Sequence, residues 1–178
     1  FDDLDLDRLR SVTDAAGFGA GLAGVEPSTL GRIGHDRPWT AIGQGDVRVD
    51  PLTAAALAGA VVADGVVHRP VLRSDEVGSA HRVFEASTAA TLAIGMRRAV
   101  TSGTATALAA IPGDVVAKTG TAQSGLGYDH AWTIAALPGE GDRPPLAVAV
   151  ALRGRPGLAL VGGHSAAPIA ATTLSAAI

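Results

Sequence analysis

The stretch from Asp114 to Leu152 constrains the fold more than any other part of the chain. Three segments rich in Val, Ala, Ile and Thr, at 114–123, 131–137 and 145–152, are separated only by short links built around Ser124-Gly125-Leu126-Gly127 and Gly139-Glu140-Gly141-Asp142. A parallel crossover needs a dozen or more residues, so links this short return the chain beside itself as antiparallel hairpins. The expectation is one sheet in the order 114–123, 131–137, 145–152, with the first strand at an edge. The link at 124–127 reads as a flexible loop. Val148 and Val150 alternate with alanines small enough to be buried as well, which predicts cover on both faces of the third strand.

Helices surround this core in the sequence. Leu6, Leu9, Val12 and Ala16 have helical spacing over 5–16, stopped by Gly17-Phe18-Gly19, and the glycine-punctuated run to Gly34 reads as loop. Asp50 followed by Pro51 is a start signal, an N-cap acceptor before a residue whose φ suits the first turn. The helix it opens, 51–63, is apolar nearly all round and should be central; Asp64-Gly65 closes it, with glycine in the left-handed position. Residues 66–72 suggest an extended segment that Pro70 confines to an edge or loop, and 73–82 a solvated loop. Ser87 is positioned to cap a helix carrying Leu92, Met96 and Val100, with Arg97 and Arg98 in its last turn. A final helix over 165–178 has Ser165 as cap, Pro168 in the first turn, and Ile169 and Leu174 facing inward. Helices packed on an antiparallel sheet make the fold class α+β.

Composition narrows the function. The chain has 178 residues, enough for one domain with a sizeable core, and with aromatics at 3% that core must be Ala, Val, Leu and Ile. A net charge of −3 argues against nucleic acid as a partner. Without cysteine there are no disulfides or thiolate metal sites, and His68 and His81 lie outside any ligand spacing, so neither metal nor cofactor is expected. No run reaches the ~20 apolar residues of a membrane span, no secretion signal is visible, and no membrane contact is expected from these residues.

Lys118 is the one lysine; the other thirteen basic side chains are arginines. An ammonium is a compact point charge with three rotatable donors, which a planar guanidinium cannot replace. It opens Lys118-Thr119-Gly120-Thr121-Ala122-Gln123 in the first strand. Thr119 and Thr121 alternate with Gly120 and share a face, while Gly120 lets a ligand or another backbone come close. Charge, hydroxyls and a backbone N–H on one strand edge suit a carboxylate and a carbonyl oxygen. The bland alternative is a solvated lysine that guards a sheet edge against aggregation. For Gln44, between Gly43 and Gly45, the two readings are a ligand contact and, preferred, a tie between two backbones.

K-T-G is one of three motifs of active-site serine penicillin-recognising enzymes, with S-x-x-K and S-x-N. Here it extends to K-T-G-T-A-Q and has company. Trp39-Thr40-Ala41-Ile42-Gly43-Gln44-Gly45 followed by Val49-Asp50-Pro51-Leu52 is similar to that family's A-I-G-Q-G…T-P-L segment. Thr101-Ser102-Gly103-Thr104-Ala105 matches its helix end and G-T-A turn, and His130-Ala131-Trp132 its H-A-W strand. Together these cover residues 18–152. The chain resembles the transpeptidase domain of a class B penicillin-binding protein. With one lysine and no asparagine it contains neither S-x-x-K nor S-x-N. Both motifs precede the G-Q-G segment in the family, so 1–178 looks like the C-terminal portion of a single such domain.

The resemblance implies a D-Ala-D-Ala transpeptidase that cross-links peptidoglycan on the extracytoplasmic face of a bacterial membrane, with any anchor upstream. Its implied partners are a peptidoglycan stem peptide, β-lactam antibiotics and the N-terminal part of the same protein. Lys118 would supply charge to the S-x-N serine and the substrate carboxylate, and Thr119 and Thr121 would bind that carboxylate. The Thr121 N–H would be one half of the oxyanion hole, with Gly120 keeping the strand approachable. Gln123 would contact the acyl side chain, while His130 and Trp132 would support the strand. The alternatives are a serine β-lactamase or carboxypeptidase of the same superfamily, and a non-catalytic binding or sensor module that keeps the cleft. The G-Q-G segment favours the transpeptidase.

Overall fold

In a computed structural model the structure describes residues 5–20, 26–30, 37–71, 73 and 75–178. The hairpins form as the links require. Strands β3 (Val116–Gln123), β4 (Asp129–Leu137) and β5 (Leu146–Leu152) make one antiparallel sheet in that order, which leaves β3 at an edge. β3 pairs with β4 from Val116↔Ala136 to Gln123↔Asp129, and β4 with β5 from Ala131↔Leu152 to Leu137↔Leu146. The link after β3 is not loose: the Ser124 hydroxyl donates to the Tyr128 carbonyl and accepts from Leu126 N at 3.1 Å.

Helix α1 (Leu6–Ala15) begins at Asp5, whose carboxylate accepts from Arg8 N. The short α2 (Arg37–Ala41) leads into the Gly43-Gln44-Gly45 loop. α3 (Pro51–Val61) starts where Asp50 and Pro51 predict. Burial raises the Asp50 carboxyl pKa, but hydrogen bonds from Ser28, from Thr53 and from the Thr53 and Leu52 backbone outweigh it and hold the group below the ordinary aspartate range. At the far end Asp64 as well as Gly65 takes positive φ, 52° and 83°. Gly65 is obligatory, since a methyl there would lie 1.9 Å from the Phe84 carbonyl oxygen.

Several expectations need correction. Residues 80–82 are not loop: β1 (Val66–His68) pairs antiparallel with β2 (Ala80–Arg82), and His81 Nε2 donates to the Ala15 carbonyl. α4 (Ala86–Ser102) starts at Glu85 rather than Ser87 and runs far enough that Arg97 and Arg98 miss its last turn. Arg97 instead donates to the Val115 carbonyl at 3.1 Å, just before β3. Of the α4 apolar row only Val100 is fully buried, and Leu92 is largely exposed. At the C-terminus a π-helical turn, Gly162–Ala166, precedes α5 (Ala167–Ser175), so Ser165 sits inside a turn and accepts from Val161 N. Leu174 is buried there, but Ile169 faces out. The glycine run before Gly34 lies largely outside the described residues; within it, Thr29 bridges to Arg48.

The sheet is packed on both faces. On one, Ala117 of β3, Ala135 and Leu137 of β4, and Val148 and Val150 of β5 meet α5 and the segment around Leu108. On the other, Val116, Ile134 and Ala136 meet Ala58 and Val61 of α3 and Met96 of α4. Leu108, Leu137 and Leu174 are fully buried, each contributing roughly 1.5–3 kcal/mol of transfer free energy. β5 is less enclosed than its sequence suggests, because Ala147 and Ala151 remain exposed.

Candidate active site

Among the described residues no strand pairs with the outer edge of β3, and that edge opens on a groove of about 690 Å³. β3 supplies Lys118 through Gln123, β4 supplies His130, Trp132 and Ile134, and the Gly43-Gln44-Gly45 loop and Ala54 and Leu57 of α3 line it as well. All the strand residues singled out in the sequence therefore line one space. They do not all face the same way. Lys118, Gly120 and Ala122 pair with Ile134, Trp132 and His130 and share their face, while Thr119 and Thr121 belong to the opposite face with Thr133.

The edge itself is partly occupied. Lys118 Nζ bends back to donate to the Thr119 carbonyl at 2.5 Å. Gln44 Nε2 donates to the Thr121 carbonyl at 3.1 Å, and Gln44 Oε1 accepts from Gln123 N at 3.3 Å. A strand residue turns its N–H and C=O to the same side. Thr119, Thr121 and Gln123 thus point outward, and the Thr121 N–H faces the groove. Of the two readings of Gln44, the tie between backbones is what the structure contains.

Behind the strand lies a network of hydroxyls. Thr119 is almost fully buried, and its Oγ1 lies 2.5 Å from Thr104 Oγ1. Thr121 Oγ1 accepts from Gly162 N at 3.4 Å, and Thr133 Oγ1 donates to the Gly162 carbonyl at 3.2 Å. Gly162 packs on the backbone of this face, where a methyl on it would lie 2.5 Å from the carbonyl oxygens of Gly120 and Trp132. A methyl on Gly120 itself would meet only Trp132 Cβ at 3.6 Å, so among the described residues no backbone takes up the room beside Gly120. His130 Nδ1 accepts from Gly154 N at 2.9 Å, so the neutral ring carries its proton on Nε2. Gly154 has no room for a side chain against the Asp129 carbonyl. Sequence reading left Thr104 without a role, although it lies in the G-T-A turn; its partner Thr119 is fifteen positions away, and no local pattern links them.

The strand carrying Lys-Thr-Gly-Thr thus lies at a sheet edge, faces a groove and is backed by a network of hydroxyls. The chain belongs to the family of penicillin-binding protein transpeptidase domains, whose model matches residues 2–175. It is similar to two proteins named peptidoglycan D,D-transpeptidase PbpA. One, from Mycobacterium tuberculosis, is 34% identical over 198 residues, covering 97% of this chain and 39% of the relative. The other, from Mycolicibacterium smegmatis, is 35% identical over 159 residues, covering 78% and 31%. The fold matches the solved structure of penicillin-binding protein A from M. tuberculosis in its ceftriaxone acyl-enzyme complex, with a TM-score of 0.77 and 31% identity over 97% of this chain and 43% of that one. The chain spans about two-fifths of the length of the M. tuberculosis relative.

Proposed function

We propose that these 178 residues are the C-terminal portion of one transpeptidase domain that cross-links peptidoglycan and is acylated by β-lactams. The observation that carries this reading is the position of Lys118-Thr119-Gly120-Thr121 on the free edge of β3, opening on the groove. A serine from a segment outside this chain attacks the carbonyl carbon of the D-Ala-D-Ala bond. The Ser–O–C bond forms, the C–N bond breaks, and D-Ala leaves with a proton on its amine. An amine of a second stem peptide then attacks the ester carbonyl; the new C–N peptide bond forms, the Ser–O–C bond breaks, and one of the amine's own protons passes to the serine oxygen.

Residues of this chain hold the substrate through both steps. The Thr121 N–H faces the groove, where a carbonyl oxygen gains negative charge as it is attacked; one such donor is worth roughly 2.7–4 kcal/mol in the transition state. Lys118 leaves the Thr119 carbonyl to meet the terminal carboxylate of the acyl donor, and Thr119 and Thr121 contribute hydroxyls to the same group. Gln123, at the end of the strand, borders the acyl side chain. In a β-lactam the ring C–N bond takes the place of the D-Ala-D-Ala bond, and the nitrogen stays tethered. The reaction belongs at the outer face of the bacterial membrane, where peptidoglycan is assembled. Among the described residues no helix is long and apolar enough to cross a membrane.

The test is to label the complete domain carrying this chain with a fluorescent penicillin and follow intact mass. A stoichiometric adduct that persists for many minutes, together with transfer to an added amine, supports the transpeptidase. Rapid hydrolysis of the adduct would point to a β-lactamase or carboxypeptidase, and no adduct would leave a binding module.

A further inference from the structure

Thr104 is exposed, yet it is held as firmly as a core residue. Gly103 before it has no space for a side chain, since a methyl there would lie 2.7 Å from Ala99 Cα. Ala105 after it is fully buried, and its N–H donates to the Ala99 carbonyl at 2.9 Å. From the third side Gly163 packs so closely that a methyl on it would lie 2.3 Å from the Thr104 carbonyl oxygen. A threonine at a frayed helix end has a free hydroxyl; this one is delivered 2.5 Å from Thr119 Oγ1.

A hydroxyl has one proton to give and two lone pairs to receive with. If Thr119 donates to Thr104, it has nothing left for an anion in the groove. If Thr104 donates to Thr119, the Thr119 proton is free for that anion, and a bond to a carboxylate is roughly twice as strong as a neutral one. A carboxylate in the groove therefore selects the second arrangement. We propose that Thr104 is a positioning residue for carboxylate recognition: its hydroxyl donates to Thr119 Oγ1 and directs the one Thr119 proton at the carboxylate of the bound acyl donor. This rests on the transpeptidase reading and adds to it a residue outside the Lys-Thr-Gly strand.

The test compares second-order acylation rates of the complete domain by benzylpenicillin and by its carboxylate methyl ester, for the wild type, Thr104→Val and Thr104→Ser. Valine keeps the shape and removes the hydroxyl, and serine restores it. Loss of one hydrogen bond of ordinary worth should slow the free acid roughly three- to tenfold in Thr104→Val. The ester should change less than about twofold, and Thr104→Ser should regain the acid-to-ester ratio of the wild type. A general loosening of the strand would slow acid and ester alike and leave the ratio unchanged, which would overturn the proposal while leaving the transpeptidase reading intact. A wild type that shows no preference for the acid overturns it too. A wild type that is not acylated by the free acid removes both readings. Thr104→Ala carries the same expectation if the valine variant does not fold.

Discussion

The Gln44 carboxamide lies along the free edge of β3 as a strand residue would, donating to the Thr121 carbonyl at 3.1 Å and accepting from Gln123 N at 3.3 Å. It thereby satisfies the last stretch of an unpaired edge. The groove's usable edge is left to residues before it.

Both halves of that carboxamide are needed. Gln44→Glu keeps the size but loses the donor and sets a carboxylate against the Thr121 carbonyl. It should destabilise the fold by about 1–3 kcal/mol, and Gln44→Ala by about 0.5–1.5 kcal/mol. Urea unfolding measures both, and hydrogen exchange at the Gln123 amide should quicken in each. Equal stability of Gln44→Glu and the wild type would show that the edge does not depend on this tie.

Lys118→Ala in the complete domain should slow acylation by penicillin roughly ten- to a hundredfold, the worth of one hydrogen bond to a charged group. Its melting temperature should change little, because the Lys118 side chain is exposed and, within the described residues, bonds only to the neighbouring Thr119 carbonyl. Stopped-flow acylation with thermal unfolding separates the two effects. An unchanged rate would remove Lys118 from the site.

Gly162→Ala should be costly for a different reason. Its methyl would meet backbone atoms of Gly120 and Trp132, which cannot rotate away. The penalty should reach about 1–3 kcal/mol or more. Because the displaced backbone belongs to the site, penicillin acylation should fall as well. A variant with wild-type stability would mean that the π-helical turn does not rest on the sheet.

Asp50 provides a pH signature. Its folded pKa is lowered, so its contribution is present above the ordinary aspartate range and is lost as pH falls from there through the folded value. At neutral pH Asp50→Ala should cost about 1 kcal/mol, as expected for an N-cap. The difference between wild type and variant should shrink on acidification below the usual aspartate pKa of ~3.9. Urea titrations at stepped pH test this, and a difference that stayed constant into strong acid would exclude the cap as its source.

The 178 residues by themselves should form no covalent adduct with a fluorescent penicillin, since neither S-x-x-K nor S-x-N occurs in them. Intact mass after incubation is the measurement. A stoichiometric adduct would place the nucleophile within this chain.

Short-range chemistry was legible in the sequence. The two hairpins follow from link length, the start of α3 from Asp50 and Pro51, and the edge position of Lys118-Thr119-Gly120-Thr121 from the order of the three strands. Each depends on residues within a few positions of one another, where periodicity, capping and turn geometry act directly. The 80–82 strand was missed because three exposed residues carry no alternation, and only pairing with Val66–His68 makes them a strand. The parts that shape the site join residues far apart in the chain. Thr104 reaches Thr119 across fifteen positions, Gly162 reaches Thr121 across 41, and Gln44 reaches Thr121 across 77. Those contacts depend on how α4, the π-helical turn and the Gly43-Gln44-Gly45 loop pack around β3. Packing is a property of the assembled core, and no local pattern of residues encodes it.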